Sequence, residues 1–424
     1  MFLNNNGDLE IKINKLIVSF MFLYVFGAPY SISVAQLGLV PAITLWLVKI
    51  IFIKKGKFYG SFIDIGLAVY LLGELITSIF CEYPKSAFSG YQGEWQILTI
   101  WLMLDVIDKE KLRKLIDVLF VMSVITAIYG VYQYFSGWDL IRHKRLNPNA
   151  WINGSITYDI TGGFGMHLTY GGFFMMIALL GIALIFISYK KDMKKFWLYL
   201  GGTTIIVFTV YGAYARSVWV GFVAGLLTFG FLKNKRLFVV IAIVLILLGV
   251  IMFYTVPQFH YKISTFENLT KLPRWQIWSV AVRILKDHPI IGVGNGNFIK
   301  YYDKYKEQGW FHKMSHPHND FLNIYLTSGI LGFIGYMSIW ILLFVYSYRF
   351  IKHTNELIDK HLMIALISGV IAFLFAGLSQ NYFTDSENSM LLWFFIGSIF
   401  VLYYNKKQKV FFPASLKSFK ENEK

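Results

Sequence analysis

Three groups of side chains in this 424-residue chain have the types needed to handle a charged leaving group and a hydroxyl. The first is Tyr214-Ala215-Arg216-Ser217, a turn so short that the apolar stretches flanking it must form a hairpin, with Arg216 at membrane level on the outer face. The second is Pro273-Arg274-Trp275-Gln276-Ile277-Trp278, continuing to Asp287-His288-Pro289 and the run Gly292-Val293-Gly294-Asn295-Gly296-Asn297. Ile277, Trp278, Ala281 and Ile284 recur at helical spacing, which predicts an amphipathic helix over 274–287 lying near the outer surface. A proline suits a helix start, so Arg274 would stand in the first turn, where free amides and the helix dipole favour an anion. The third group is Ser315-His316-Pro317-His318-Asn319, followed after nine residues by Gly329-Ile330-Leu331-Gly332. An imidazole of ordinary pKa can take a proton from a hydroxyl at physiological pH, a role open to His318 or, in its place, His316. Gly329 and Gly332 would let another helix approach closely. Each group also has a plain structural reading, as a snorkelling arginine or a hydrogen-bonded interface histidine.

The elements that must position these groups follow from composition. With 56% hydrophobic residues, 15% charged residues and a mean hydropathy of +0.54, the chain reads as a polytopic membrane protein. A bilayer core needs about 20 apolar helical residues, and roughly twelve such stretches occur, at approximately 15–32, 34–53, 61–80, 89–107, 115–135, 167–188, 196–215, 217–232, 237–255, 321–347, 361–380 and 388–404. Period-2 alternation, the mark of a membrane β-barrel, is missing. The expected fold is therefore all-α, one membrane domain over 1–424, with a large extracytoplasmic loop at 256–320 and a cytoplasmic tail at 405–424. No fixed-period repeat or low-complexity tract divides the chain. An apolar run near 16–28 followed by Ser33-Val34-Ala35-Gln36 could pass for a secretory signal; it reads better as an uncleaved first span.

Lysine and arginine set the orientation. Every even-numbered stretch exits into a basic loop, as at Lys54, Lys55 and Lys57 or Lys190, Lys191, Lys194 and Lys195, whereas the odd exits are poor in charge. Both termini are thus expected in the cytoplasm and the three groups outside. The net charge of +16 is largely this cytoplasmic belt, so no nucleic-acid partner is needed to explain it. Arg142, His143, Lys144 and Arg145 are an exception: they fall outside, either as solvated charges or as an anion site. Asp64 and Glu74 lie within the third stretch, and intramembrane acids are candidates for function; Glu74 could steady an arginine or simply be a hydrogen-bonded interhelical residue. The single cysteine, Cys81, excludes an internal disulfide and a cysteine metal cluster. The glycine run lacks the strand–helix setting and the Gly-Lys-Ser/Thr ending of a nucleotide loop.

Together these groups resemble the O-antigen ligase family, which includes O-antigen polymerases and protein O-oligosaccharyltransferases. His318-Asn319, nine residues, then Gly329 and Gly332 fit the family's loop motif at every fixed position, and Arg274 before Trp278 and His288-Pro289-Ile290-Ile291-Gly292-Val293-Gly294 is similar to its loop arginine and turn. Arg216 is similar to a further family arginine at a short outer turn, although alanine precedes it here where serine is usual. Gly162 to Tyr170 also looks like a family segment, with no chemical role attached. The likeness is sharpest from about Gly201 to Gly332.

The resemblance implies a C-type glycosyltransferase fold in the bacterial inner membrane. It implies transfer of a glycan from undecaprenyl diphosphate to an acceptor hydroxyl, on the lipid A core for a ligase or on another lipid-linked repeat for a polymerase. In that reading Arg216 and Arg274 stabilise the diphosphate and His318 is the general base, with inversion at the anomeric carbon. No outer Asp-x-Asp pair is present, so neither a metal nor a cofactor is expected, and no retaining pair of carboxylates is evident. Partners would be the lipid-linked donor, the glycan acceptor and membrane lipids. A lipid-glycan transporter is the main alternative outside enzymes; it would carry midplane charges and broken helices in matched halves, which are sparse here. A pure scaffold gives no reason for two arginines and a histidine to converge.

Overall fold

The computed structural model describes residues 2–54, 56–152, 155–255, 273–310 and 314–404. All twelve apolar stretches are helical. In order they are α1 (Phe2–Gly27), α2 (Ile32–Val48, extended by a π turn at Lys49–Ile53), α3 (Asp64–Phe80), a short α4 (Pro84–Gly90) leading into a 3₁₀ segment (Tyr91–Leu98) and α5 (Thr99–Val106), α6 (Lys109–Ser136), α7 (His167–Ser188), α8 (Met193–Gly212), α9 (Arg216–Lys233) and α10 (Lys235–Thr255). The loop that follows holds α11 (Pro273–Asp287) and α12 (Phe298–Tyr305), before α13 (Asp320–His353), α14 (Leu357–Gly377) and α15 (Ser386–Tyr403). Among the described residues eight helices are long and apolar enough to cross a membrane. The chain is an integral membrane protein, since such helices can close their backbone hydrogen bonds only on themselves in lipid.

Polar caps delimit the helices. Asp108, Asp192, Asn319 and Asp385 each accept a hydrogen bond from a backbone N–H in the first turn of the helix they precede, at Lys111, Lys195, Leu322 and Asn388. The centre of the bundle is α7, α14 and α15, which are buried on nearly all sides, whereas α10 has no buried residue.

One departure from the all-helical expectation occurs. Residues 138–158 form two small antiparallel hairpins, Trp138–Asp139 with Lys144–Arg145 and Pro148–Ile152 with Ser155–Tyr158. Arg142 is tied there by its Nη2 to the Gly163 carbonyl at 2.6 Å and by Nη1 to Asp139 at 3.4 Å, so it anchors the loop, while His143, Lys144 and Arg145 stay exposed. The expected amphipathic helix is present over Pro273–Asp287. Its apolar face, Ile277, Val280, Ala281 and Ile284, is covered by Val293, Phe298, Tyr301, Tyr302 and Leu326, which makes a second core within the loop. A stripe matched by apolar residues of its own loop needs no lipid to bury it. Of the expected large loop, residues 256–272 and 311–313 lie outside the described residues, as does the 405–424 tail.

Helices α3 and α13 approach each other closely. A Cβ added to Gly73 would stand 2.2 Å from the Gly332 amide nitrogen, and one added to Gly335 would stand 2.4 Å from that of Tyr70. Small residues let these backbones touch, as the glycine spacing in the sequence predicts. Gly329 has a different task. Its φ of +64° interrupts α13, and a Cβ there would meet the Ile290 carbonyl at 2.4 Å, so the glycine turn of the loop seats directly on the break. Ile330 donates its amide to the Ile290 carbonyl at 3.0 Å across this contact.

Gly73→Val is expected to lower the melting temperature in detergent by several degrees, because overpacking of this kind costs about 1–3 kcal/mol. Gly201→Ala, where a Cβ would meet nothing within 4 Å, should leave it unchanged or slightly higher.

Candidate functional site

The site is assembled from three element ends and one connecting segment. Arg216 opens α9, where the chain turns back after Tyr214, and its side chain is exposed. Arg274 is in the first turn of α11, directly after Pro273, and is half-buried. His318 sits just before Asn319, the cap of α13, with a backbone φ of +50° that non-glycine residues seldom adopt. Such a conformation persists only where surrounding contacts hold it.

Those contacts come from the segment between α14 and α15. The Asn319 Nδ2 donates to the Leu378 carbonyl at 2.8 Å, and the Asp320 carboxyl accepts the amides of Phe383 at 3.0 Å and Tyr382 at 3.3 Å. His318 Nδ1 pairs with Gln380 Oε1 at 2.9 Å. An amide oxygen only accepts, so Nδ1 carries the proton and Nε2 keeps a free lone pair. The Tyr382 and Ser217 hydroxyls share a hydrogen bond of 2.9 Å, which ties the same segment to the residue next to Arg216.

Electrostatics link the three candidates. Arg274 lies close enough to both Arg216 and His318 for its charge to act on each. Burial, then the Arg216 charge, lowers the Arg274 pKa, although a guanidinium so placed stays protonated. Arg274 Nη1 is buried without a hydrogen-bond partner, and neither arginine has a carboxylate partner among the described residues. Burial and the Arg274 charge hold the His318 pKa below its ordinary value, partly offset by Gln380, so the imidazole is neutral at physiological pH and able to accept a proton. His316 faces it with ring centroids 4.3 Å apart, and burial together with His318 pushes its pKa down to about 4. A base that weak takes little proton at neutral pH, which favours His318 over His316 for proton abstraction.

Two cavities adjoin on the side of His316. One of about 140 Å³ is lined by His316, Asn323, Asn381 and Thr384, and one of about 240 Å³ by Glu94, Gln96, Asn295 and Phe383; Asn295 and Thr384 border both. Among the described residues no group of three or more His, Cys, Asp or Glu side chains is arranged to hold a metal ion.

The sequence reading expected Arg216, Arg274 and His318 on one face; here the Arg274 charge reaches both of the others, His318 pairs with Gln380, and Ser217, next to Arg216, pairs with Tyr382. That reading gave Ser217 no task of its own and passed over Asp320, Gln380 and Tyr382. A signal for Gln380 and Tyr382 existed, since Gln380-Asn381-Tyr382-Phe383-Thr384-Asp385 is a mostly polar run between two apolar stretches. Glu74 is placed away from the arginines. It accepts a hydrogen bond from Asn295 in the glycine turn and faces Glu94, so its polar contact is between α3 and that turn. Asp64 accepts from the Ser61 amide at 2.8 Å and from Trp101 Nε1 at 3.1 Å, and so fastens the start of α3.

Residues 201–337 match the family model described as O-Antigen ligase, a stretch that begins where the motif likeness is sharpest and runs past Gly332. No curated protein matches the chain. The O-antigen ligase likeness therefore stands on that segment, which contains Arg216, Arg274 and His318, and it supports a ligase or polymerase type of glycosyltransferase function.

The proton balance can be measured directly. In a histidine-labelled sample, His318 is expected to titrate below 6.5 and His316 near 4, followed by NMR. Gln380→Ala removes the acceptor that favours the protonated ring, so His318 should then titrate lower still.

Proposed function

We propose that the chain is an O-antigen ligase that transfers a glycan from undecaprenyl diphosphate to an acceptor hydroxyl such as one on the lipid A core. The reading rests above all on Arg274, half-buried with one nitrogen unpartnered, between a second arginine and a neutral histidine. Two uncompensated guanidiniums destabilise each other unless an anion joins them, and a diphosphate is the anion that matches planar, always-charged donors.

In the proposed step the acceptor hydroxyl gives its proton to His318 Nε2 as its oxygen attacks the anomeric carbon. The bond from that carbon to the diphosphate oxygen breaks, and the lipid diphosphate leaves with the electron pair and increased negative charge. Arg274 and Arg216 receive that charge, so their interaction is strongest in the transition state. A single displacement inverts the anomeric centre. Neither metal nor cofactor is assigned a part.

The wider proposal is a twelve-span protein of the bacterial inner membrane, a single domain over 1–424 with both termini in the cytoplasm. The 256–320 loop and the site would face the periplasm or cell exterior, and 405–424 would be a cytoplasmic tail. The basic even-numbered loops support this orientation.

His318→Ala should reduce transfer by about 10²- to 10⁴-fold, the range for losing a general base. Arg274→Ala should cost about 10²- to 10³-fold, as for losing a donor to developing negative charge, and Arg274→Lys should restore little of it. The check is lipid-linked glycan against finished surface polysaccharide, with membrane insertion unchanged. Long glycans left on the carrier in a deletion strain fit the ligase, whereas single repeats left there would make the chain a polymerase. Undiminished polysaccharide in His318→Ala would remove the base from the scheme.

A further inference from the structure

The cavity bordered by Glu94 is not used by the chemistry above, and its walls are unusual for the outer end of a helical bundle. Gln96, in the 3₁₀ segment, is 3% exposed and lines the cavity, yet its Oε1 has no hydrogen-bond partner. Beside it Glu94 accepts from the Tyr70 hydroxyl at 3.1 Å, and Asn295 presents a side chain whose other contact is Glu74. Glu74 is 1% exposed and its Oε2 also lacks a partner. Among the described residues no basic side chain is paired with either acid.

Buried oxygens of this kind call for donors, because an unmet acceptor costs about 1–3 kcal/mol. The cavity's own unmet acceptor is Gln96 Oε1, and the Glu94 carboxyl stands in the same wall, so a ligand that brings more than one donor is matched there. Phe383 completes the wall with an apolar face, its amide held by Asp320. Vicinal hydroxyls carried on a ring with an apolar C–H face satisfy both demands at once, which is the chemistry of a saccharide. Through Asn295 and Thr384 the cavity adjoins the smaller one lined by His316, whose ring touches that of His318. In the smaller cavity Asn381 Oδ1 is likewise buried and unpartnered, so acceptor groups continue toward the histidines.

We propose that the Glu94–Gln96–Asn295 cavity is the pocket for the acceptor saccharide, holding its hydroxyls by carboxylate and amide oxygens so that one hydroxyl is directed toward His318. The assignment of this sugar as acceptor rests on the transfer reading above; the pocket's capacity to bind a saccharide does not. It also separates the two substrates in space, the donor's diphosphate on the arginine side and the acceptor on the carboxylate side.

The test uses the purified full chain in nanodiscs and saturation-transfer NMR with lactose, maltose, chitobiose and N-acetylglucosamine as probes. Transfer of saturation to at least one sugar is expected, and at least tenfold weaker binding in Gln96→Leu and in Glu94→Leu. Gln96→Leu removes an unsatisfied buried oxygen, so its melting temperature should be equal or higher while binding is lost, which separates recognition from folding. In transfer assays the same variant should raise KM for the acceptor at least tenfold and leave KM for the donor unchanged. Sugar binding equal in both variants, no binding of any probe, or binding of added Na⁺ or Ca²⁺ in place of sugar would overturn the pocket. If sugars bind as expected and no lipid-linked donor is turned over, the transfer reading fails and the pocket stands. If transfer depends on His318 while Gln96→Leu keeps the acceptor KM, the pocket fails and the transfer reading stands.

Discussion

The geometry around His318 depends on one buried carboxyl. Asp320, the first residue of α13, accepts the amides of Tyr382 and Phe383 and thereby fastens the α14–α15 connection to the helix that His318 precedes. Hydrogen bonds to a buried carboxyl are individually worth only about 1–3 kcal/mol, but their effect here is geometric. They decide where Gln380 stands to meet His318, where Tyr382 stands to meet Ser217, and which side of Phe383 faces the cavity. Gly377 fits this arrangement closely: a Cβ there would meet Asp320 Oδ2 at 2.4 Å.

A second constraint is charge without compensation. Elsewhere the chain pairs its buried ions with care, as where Asp359 meets both Lys109 and Arg113. Arg274 lacks such a partner, and near the adjoining cavities so do Glu74 Oε2 and Gln96 Oε1. Cationic and acceptor-rich regions side by side suit two ligands of different chemistry.

Much of this was legible in the chain. Lipid-length apolar runs made the helices predictable, because a membrane leaves the backbone few options. The helix at Pro273–Asp287 was legible from its periodicity and its proline, and the close α3–α13 contact was half legible from Gly332. The hairpins at 138–158 were not, since their strands are two to five residues long and carry no sustained alternation. The 378–385 segment was passed over because its residues are polar but chemically quiet in isolation; only contact with His318 and Ser217 gives them a task.

Residue type and spacing thus singled out Arg216, Arg274 and His318 as candidates and gave the expectation of a shared face, because hydropathy and basic loops are properties of the string. Tertiary structure decided what those groups touch. That Nδ1 of His318 is occupied and Nε2 free, that Glu74 answers to Asn295 and Glu94 instead of an arginine, and that unmet oxygens gather beside Phe383 all rest on residues far apart in sequence. Their meeting depends on how helices pack, and packing of helices is set by the shapes of whole faces, which no local pattern records.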